Sequence, residues 1–165
     1  MSGSLAIANR QRTVSLNLRL LRDITNALLT ELLELDGFAL EISIVAAPEM
    51  ARINKTFLNH EGSTDVITFD YAETPTRNTQ HATRSLHGEI FICIDDAIAQ
   101  AREFRTTWQS ELARYVVHGV LHLRGFDDIC AADRRKMKRE ENRLLKETAR
   151  LFPLSKLGCN PKLAA

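Results

Sequence analysis

The segment that most constrains this chain runs from Trp108 to Leu123, because it reads as a helix with almost nowhere to put a wet face. Leu112, Val116, Val117, Val120, Leu121 and Leu123 spread apolar side chains around it, and a helix that is apolar on every side is a buried one. The rest of the chain has to cover it. Ala39–Val45 (A-L-E-I-S-I-V) alternates with period two, while Val66–Tyr71 and Gly88–Ile94 are rich in β-branched and aromatic residues, so strands are predicted at all three. Thr13–Leu18 alternates weakly and is a candidate edge strand. Leu21, Ile24, Leu28, Leu32 and Leu35 recur at helical spacing in a run that ends near Gly37. Pro48 suits the start of a helix running toward Asn59, with Gly62 as its stop, and helical patterns follow over Asp95–Phe104 and Ala131–Arg150. Strands in the first half and helices in the second predict an α+β fold. At 165 residues, a single domain over 1–165 is expected. Ala72–His87 is a long polar connection, read as disordered rather than functional.

Two histidines interrupt the apolar stretch from Tyr115 to Leu123. His118 and His122 stand four apart, on one face and about a turn from each other, near enough to chelate one metal ion. A buried imidazole needs partners for its polar nitrogens. Gly125 follows, where it can end the helix in a left-handed conformation and turn the chain back, and Asp127 and Asp128 come immediately after it. His118, His122 and Asp128 therefore fall at i, i+4 and i+10, the spacing with which H-E-x-x-H-x-x-G-x-x-H proteases set three ligands on one zinc. Two imidazoles and one carboxylate are a competent set that leaves a position for water, whose pKa falls from about 15.7 toward about 7 on zinc. Zinc, one per chain, is the expected ion, and a carboxylate ligand also admits nickel, iron or manganese. The alternatives are satisfied core histidines beside a solvated Asp cap, or a closed structural zinc site with Cys130 as fourth ligand. Gly119 occupies the place of the proteases' general-base glutamate, so a peptidase reading lacks its base. The glycine suggests instead a close backbone approach or an open floor for substrate.

Lys plus Arg number 22 and Asp plus Glu 21, so a net charge of +1 and a pI near 7.8 make no whole-chain case for a nucleic-acid partner. The charge is uneven, however. Between Ala131 and Lys146, seven cations face three carboxylates, a local net of +4, and Arg10, Arg12 and Arg19 lie in a stretch without acids. Such clusters can follow a phosphate backbone, although a charged helix is more often only a solvated face. Arg134, Arg135, Lys138 and Arg139 are the candidate RNA contacts. Trp108, Tyr115 and Phe126 are able to stack on bases but read first as core. Cys93, Cys130 and Cys159 form no C-x-x-C pair, which fits neither a disulfide framework nor a zinc ribbon and suits a reducing cytosol. No segment has the apolar length of a signal peptide or a membrane span, so a soluble cytoplasmic protein with no membrane partner is expected.

The motif residues also carry a family likeness. H-G-V-L-H-L-R-G-F-D-D, from His118 to Asp128, resembles H-G-x-L-H-L-x-G-Y-D-H, the signature of the YbeY family of bacterial metal-dependent endoribonucleases and rRNA-maturation factors. Asn54, S-T-D-V-I-T-F from Ser63 to Phe69, G-E-I-F-I from Gly88, Met137 and Glu141 resemble further family patterns in the same order, over roughly Ile42 to Glu141. The resemblance implies a small, mostly four-stranded mixed sheet packed against helices, with the motif helix at the centre and a metal at the mouth of a cleft. It implies phosphodiester hydrolysis in maturation of the small-subunit rRNA 3′ end and in ribosome quality control. The implied partners are rRNA and the small ribosomal subunit, with a ribosomal protein or an assembly GTPase. Two positions depart from the pattern. Asp128 stands where the family usually has histidine, which is expected to keep a metal while lowering affinity for soft cations. Leu58 stands where the family often has an arginine serving RNA or catalysis, so the catalytic residues beyond the metal site are left unassigned. Arg52, Lys55 or a loop arginine are candidates to replace it. Leu58 also sustains a second function, that of a non-catalytic ribosome-assembly factor with a structural metal site.

Overall fold

The computed structural model describes residues 3–72 and 85–159. Residues 73–84, which hold most of the polar connection with Pro75, Arg77, His81 and Arg84, lie outside the described residues. The sheet is built on β3 (Gly37–Val45), which pairs in parallel with β1 (Gly3–Asn9) on one side and with β5 (Ser85–Cys93) on the other. β4 (Val66–Asp70) adds to the far edge of β5 in antiparallel register, giving a four-stranded mixed sheet in the order β1-β3-β5-β4. Side chains alternate between the two faces of a strand, and the alternation decides which core each residue enters. Leu40, Ile42 and Ile44 of β3 and Leu86, Ile90 and Ile92 of β5 join the larger cluster. Val45, Phe91 and Cys93 point the other way, into a smaller cluster with Ile67 and Met50. α2 (Ala47–Leu58) contributes Met50 to that smaller layer. The larger layer is filled by α1 (Leu18–Ala27), α3 (Ile94–Phe104), α4 (Trp108–Leu123) and α5 (Ala131–Leu151). The architecture is α+β, as the pattern of elements predicts.

α4 spans the residues that its sequence predicts. The Thr107 hydroxyl accepts the Ser110 amide at 3.2 Å and caps its first turn. Val116, Val120, Leu121 and Leu112 are then fully buried. Gly119 marks where the helix touches the sheet. A Cβ at that position would stand 2.9 Å from both Cδ1 and Cγ2 of Ile90 on β5, closer than carbon atoms pack. The glycine therefore serves close helix–sheet approach, and the open-floor alternative is set aside.

Several expectations change at the periphery. β1 is a full strand that the pattern reading did not include, since G-S-L-A-I-A-N offers only Leu5 and Ile7 as large apolar residues and they are partly exposed at a sheet edge. Of Thr13–Leu18, only Ser15–Leu16 forms a strand (β2), and it pairs with Gly158–Cys159 (β6) outside the main sheet. The leucine-rich helix widens into a π turn at Leu28–Leu32 and ends there, with Leu35 buried just beyond it. α2 stops at Asn59, which takes the left-handed conformation at φ 54° in place of the predicted stop at Gly62. Cys93 is a buried free thiol, and Cys130 and Cys159 are exposed free thiols. Among the described residues, no helix is long and apolar enough to cross a membrane.

Candidate metal centre

The end of α4 is shaped by its last hydrogen bonds. The Phe126 amide reaches back to the Leu121 carbonyl and the Gly125 amide to the His122 carbonyl, each at 3.0 Å, with Gly125 at φ 94°. This paired closure is the Schellman geometry, and it requires the left-handed residue that glycine supplies. The chain then doubles back over the helix end. The Asp127 carboxylate accepts the amides of Asp128 and Ile129 at 2.7 and 3.1 Å, so Asp127 is occupied in holding the turn. The turn sets the neighbouring Asp128 over the two histidines.

His118, His122 and Asp128 each offer one ligand atom, and these atoms all lie within 4.8 Å of one another. The two Nε2 atoms are 3.0 Å apart, and Asp128 Oδ2 lies 3.9 and 3.8 Å from them. Tetrahedral ligands at about 2.05 Å from an ion stand about 3.3 Å from each other, so the observed separations bracket that value. The second ring nitrogen of each histidine is already committed. His118 Nδ1–H donates to Glu141 Oε2 at 2.8 Å, and His122 Nδ1–H donates to the Phe126 carbonyl at 3.1 Å. In the neutral rings both Nε2 atoms therefore carry lone pairs, and these face the same space 3.0 Å apart. Such an arrangement calls for a positive charge between them, and Asp128 adds a third electron pair on the open side. The residues present fit a divalent cation.

Glu141 is the residue that the motif reading left without a role. It is 4% exposed, on the α5 face that also buries Met137, Leu144, Leu145 and Thr148. Its Oε1 takes Arg114 Nη1 at 2.7 Å and lies 3.5 Å from Lys138 Nζ, while Oε2 holds His118. Burial alone would raise the carboxyl pKa. The hydrogen bonds from His118 and Arg114 and the positive charges of Lys138 and His118 overcome it and hold the group down to about 2. Burial opposes protonation of His118, but the hydrogen bond and charge of Glu141, helped by Asp65 and Asp128, keep its pKa above the ordinary value. The result is a carboxylate–imidazole pair that fixes the ring orientation and makes Nε2 a better donor. Two signals in the sequence point to it. Glu141 is an acid in the middle of an apolar helical stripe, and Arg114 precedes His118 by one helical turn.

A cleft of about 330 Å³ opens on this centre, with His118, Asp128, Glu141, Arg114, Arg134 and Lys138 among its lining. Arg134 and Lys138 of the four expected RNA contacts therefore reach it. Arg135 and Arg139 are exposed on α5 and are not in the lining. Leu58 is 46% exposed at the end of α2, and neither it nor Arg52 nor Lys55 lines the cleft. Lys55 pairs with Glu61 at 3.4 Å. Cys130 is not among the grouped ligands. Its thiol caps α5, donating to the Asp133 carboxylate at 3.1 Å and accepting the Asp133 amide at 3.4 Å. Trp108 and Tyr115 are buried, and Phe126 packs on the core with Lys136 Nζ 5.8 Å above its ring.

Comparison with known proteins bears on the same elements. A protein called Endoribonuclease YbeY from Finegoldia magna is 31% identical over 144 residues, covering 86% of this chain and 91% of that protein. Another of the same name from Salinibacter ruber is 37% identical over 94 residues, and there the match spans only 60% of the relative's length. A solution structure of a protein from Thermotoga maritima has the same fold, with a TM-score of 0.63 at 22% identity and coverage of 96% of this chain and 98% of that one. The family profile described as Endoribonuclease YbeY matches residues 6–149, from the first strand through nearly all of α5. Signature, sheet and profile agree along the same stretch, and this chain belongs to the YbeY family.

Proposed function

We propose that the chain, as one hydrolase domain over residues 1–165, is a metal-dependent endoribonuclease acting on rRNA, chiefly at the small-subunit 3′ end, in ribosome maturation and quality control. The observation that carries this reading is the pair of imidazole Nε2 atoms 3.0 Å apart, with both Nδ1 hydrogens spent elsewhere and Asp128 beside them. The relatives named endoribonucleases supply the substrate class. In this reading the ion is zinc, held by His118, His122 and Asp128. When bound, it would lower the pKa of a water and polarise a non-bridging oxygen of the phosphate whose phosphorus is attacked.

The protein's own part is positioning. Glu141 and the Phe126 carbonyl hold the two rings so that Nε2 of each faces the ion. Arg114 keeps Glu141 ionised and in place. Arg134, Arg135, Lys138 and Arg139 meet the RNA backbone. The partners are rRNA and the small ribosomal subunit, with a ribosomal protein or an assembly GTPase, and the compartment is the cytoplasm. The test is metal content and cleavage of precursor small-subunit rRNA, measured side by side for wild type, a chelated sample and His122→Ala. About one metal per chain, with cleavage lost in step with the metal, is expected. A metal retained without any cleavage would replace this reading with the non-catalytic assembly factor, and caseinolytic activity sensitive to chelator would restore the peptidase.

A further inference from the structure

Three cations line the metal cleft, and they are not alike. Arg114 is consumed by structure, bound to Glu141 at 2.7 Å and to Asn142 Oδ1 at 2.8 Å. Lys138 lies 3.5 Å from the same Glu141. Arg134 lines the same cleft on the exposed first turn of α5, and among the described residues it has no carboxylate within ion-pair distance. The acids nearby are already engaged. Asp133 is bound to Cys130, Glu140 to Arg143, Glu111 to Thr106, and Asp128 to the two histidines. An unneutralised guanidinium beside a site built for a divalent cation is placed to receive an anion that spans both. A guanidinium fork matches a phosphate's oxygens in geometry as well as charge.

We infer that Arg134 is a phosphate-binding residue of the cleft, gripping a non-bridging oxygen of the RNA phosphate that lies at the metal centre. This assignment rests on the reading of the cleft as a ribonuclease site. Lys138 sits one turn further along α5 and adds attraction, but its charge is shared with Glu141. Arg134 touches none of the three ligand atoms, so its loss leaves metal content unchanged.

The experiment uses Arg134→Gln, Arg134→Lys and, as a control, Arg150→Gln at the far end of α5, where Arg150 is paired with Glu147 at 2.7 Å. Binding of a short labelled single-stranded RNA to chelator-treated protein is followed against salt, and cleavage is followed after zinc is restored. Arg134→Gln should lower the slope of log Kd on log salt by about 0.7, the release expected for one phosphate contact. It should also cut kcat by at least about tenfold, as removal of a charge-stabilising donor does. Arg134→Lys should recover the salt slope while leaving much of the kcat deficit, because an ammonium keeps charge without the fork. Arg150→Gln should change neither. An unchanged slope and kcat in Arg134→Gln, with wild type binding and cutting normally, overturns the assignment and leaves the ribonuclease reading intact. A wild type that neither binds nor cuts RNA overturns both.

Discussion

The two sources of the metal centre are built by opposite means. His118 and His122 project from a helix whose neighbours Val116, Val120 and Leu121 are fully buried, and each ring is tied at its second nitrogen. Asp128 comes from an exposed turn and its side chain is 45% exposed. On the helix side the geometry exists before any ion arrives, and the ordering cost is met when the core packs. On the loop side it depends on a glycine cap and on Asp127 holding two amides. The difference teaches that three ligands to one ion need not contribute equally. The helix pair should set whether a metal binds, and the loop should tune how tightly.

Replacing either helix ligand tests the strong side first. His118→Ala and His122→Ala should each weaken metal binding by more than about 100-fold in a chelator competition, beyond the loss typical of outer hydrogen-bond partners. Glu141→Gln comes next, with a loss of about 10- to 100-fold although Glu141 never touches the ion, because it frees the His118 ring and strands Arg114. Asp128→Asn should cost only about tenfold, since an amide oxygen can still ligate. A loss in Asp128→Asn as large as in His118→Ala would break the contrast outright. Smaller still are the effects on the scaffold, read as thermal unfolding. Gly119→Ala should destabilise by about 1–2 kcal/mol, since overpacking against Ile90 outweighs the helix propensity that alanine gains. Ile90→Val in the same background should return part of it. Gly125→Ala should cost about 1 kcal/mol through its positive φ, with metal affinity falling more than stability.

How much of this was legible follows the same division. α4 runs over the residues its pattern predicts because apolar periodicity, a threonine cap and a glycine stop all agree, and agreement between levels is what makes a segment readable. The central strands were legible for their runs of β-branched residues, and the spacing of His118, His122 and Asp128 was enough to group them. β1 was not legible, because a half-exposed edge strand needs few large apolar residues. The alternation of Thr13–Leu18 hinted at β2, but its clasp on β6 was beyond reach of any local pattern, since the partner is a two-residue strand more than 140 residues further along the chain. The electrostatic support of His118 was only half visible. Glu141 was named only as a position resembling the family pattern, and its partnership with a ring on another helix is a tertiary fact. The split among the α5 cations is likewise tertiary, since helical phase alone does not say which face meets the cleft.

The clasp carries a consequence for how this molecule comes into being. Its sheet joins β1 to β3 and β3 to β5 in parallel, and Ser15–Leu16 finds its mate only at Gly158–Cys159. Contacts so distant along the chain are slow to form. During synthesis the N-terminal strands leave the ribosome long before the segment that seals them, and the largely buried α4 emerges between the two events. A nascent chain halted before residue 158 would therefore carry all of its metal-binding residues with the last closure of its fold still missing.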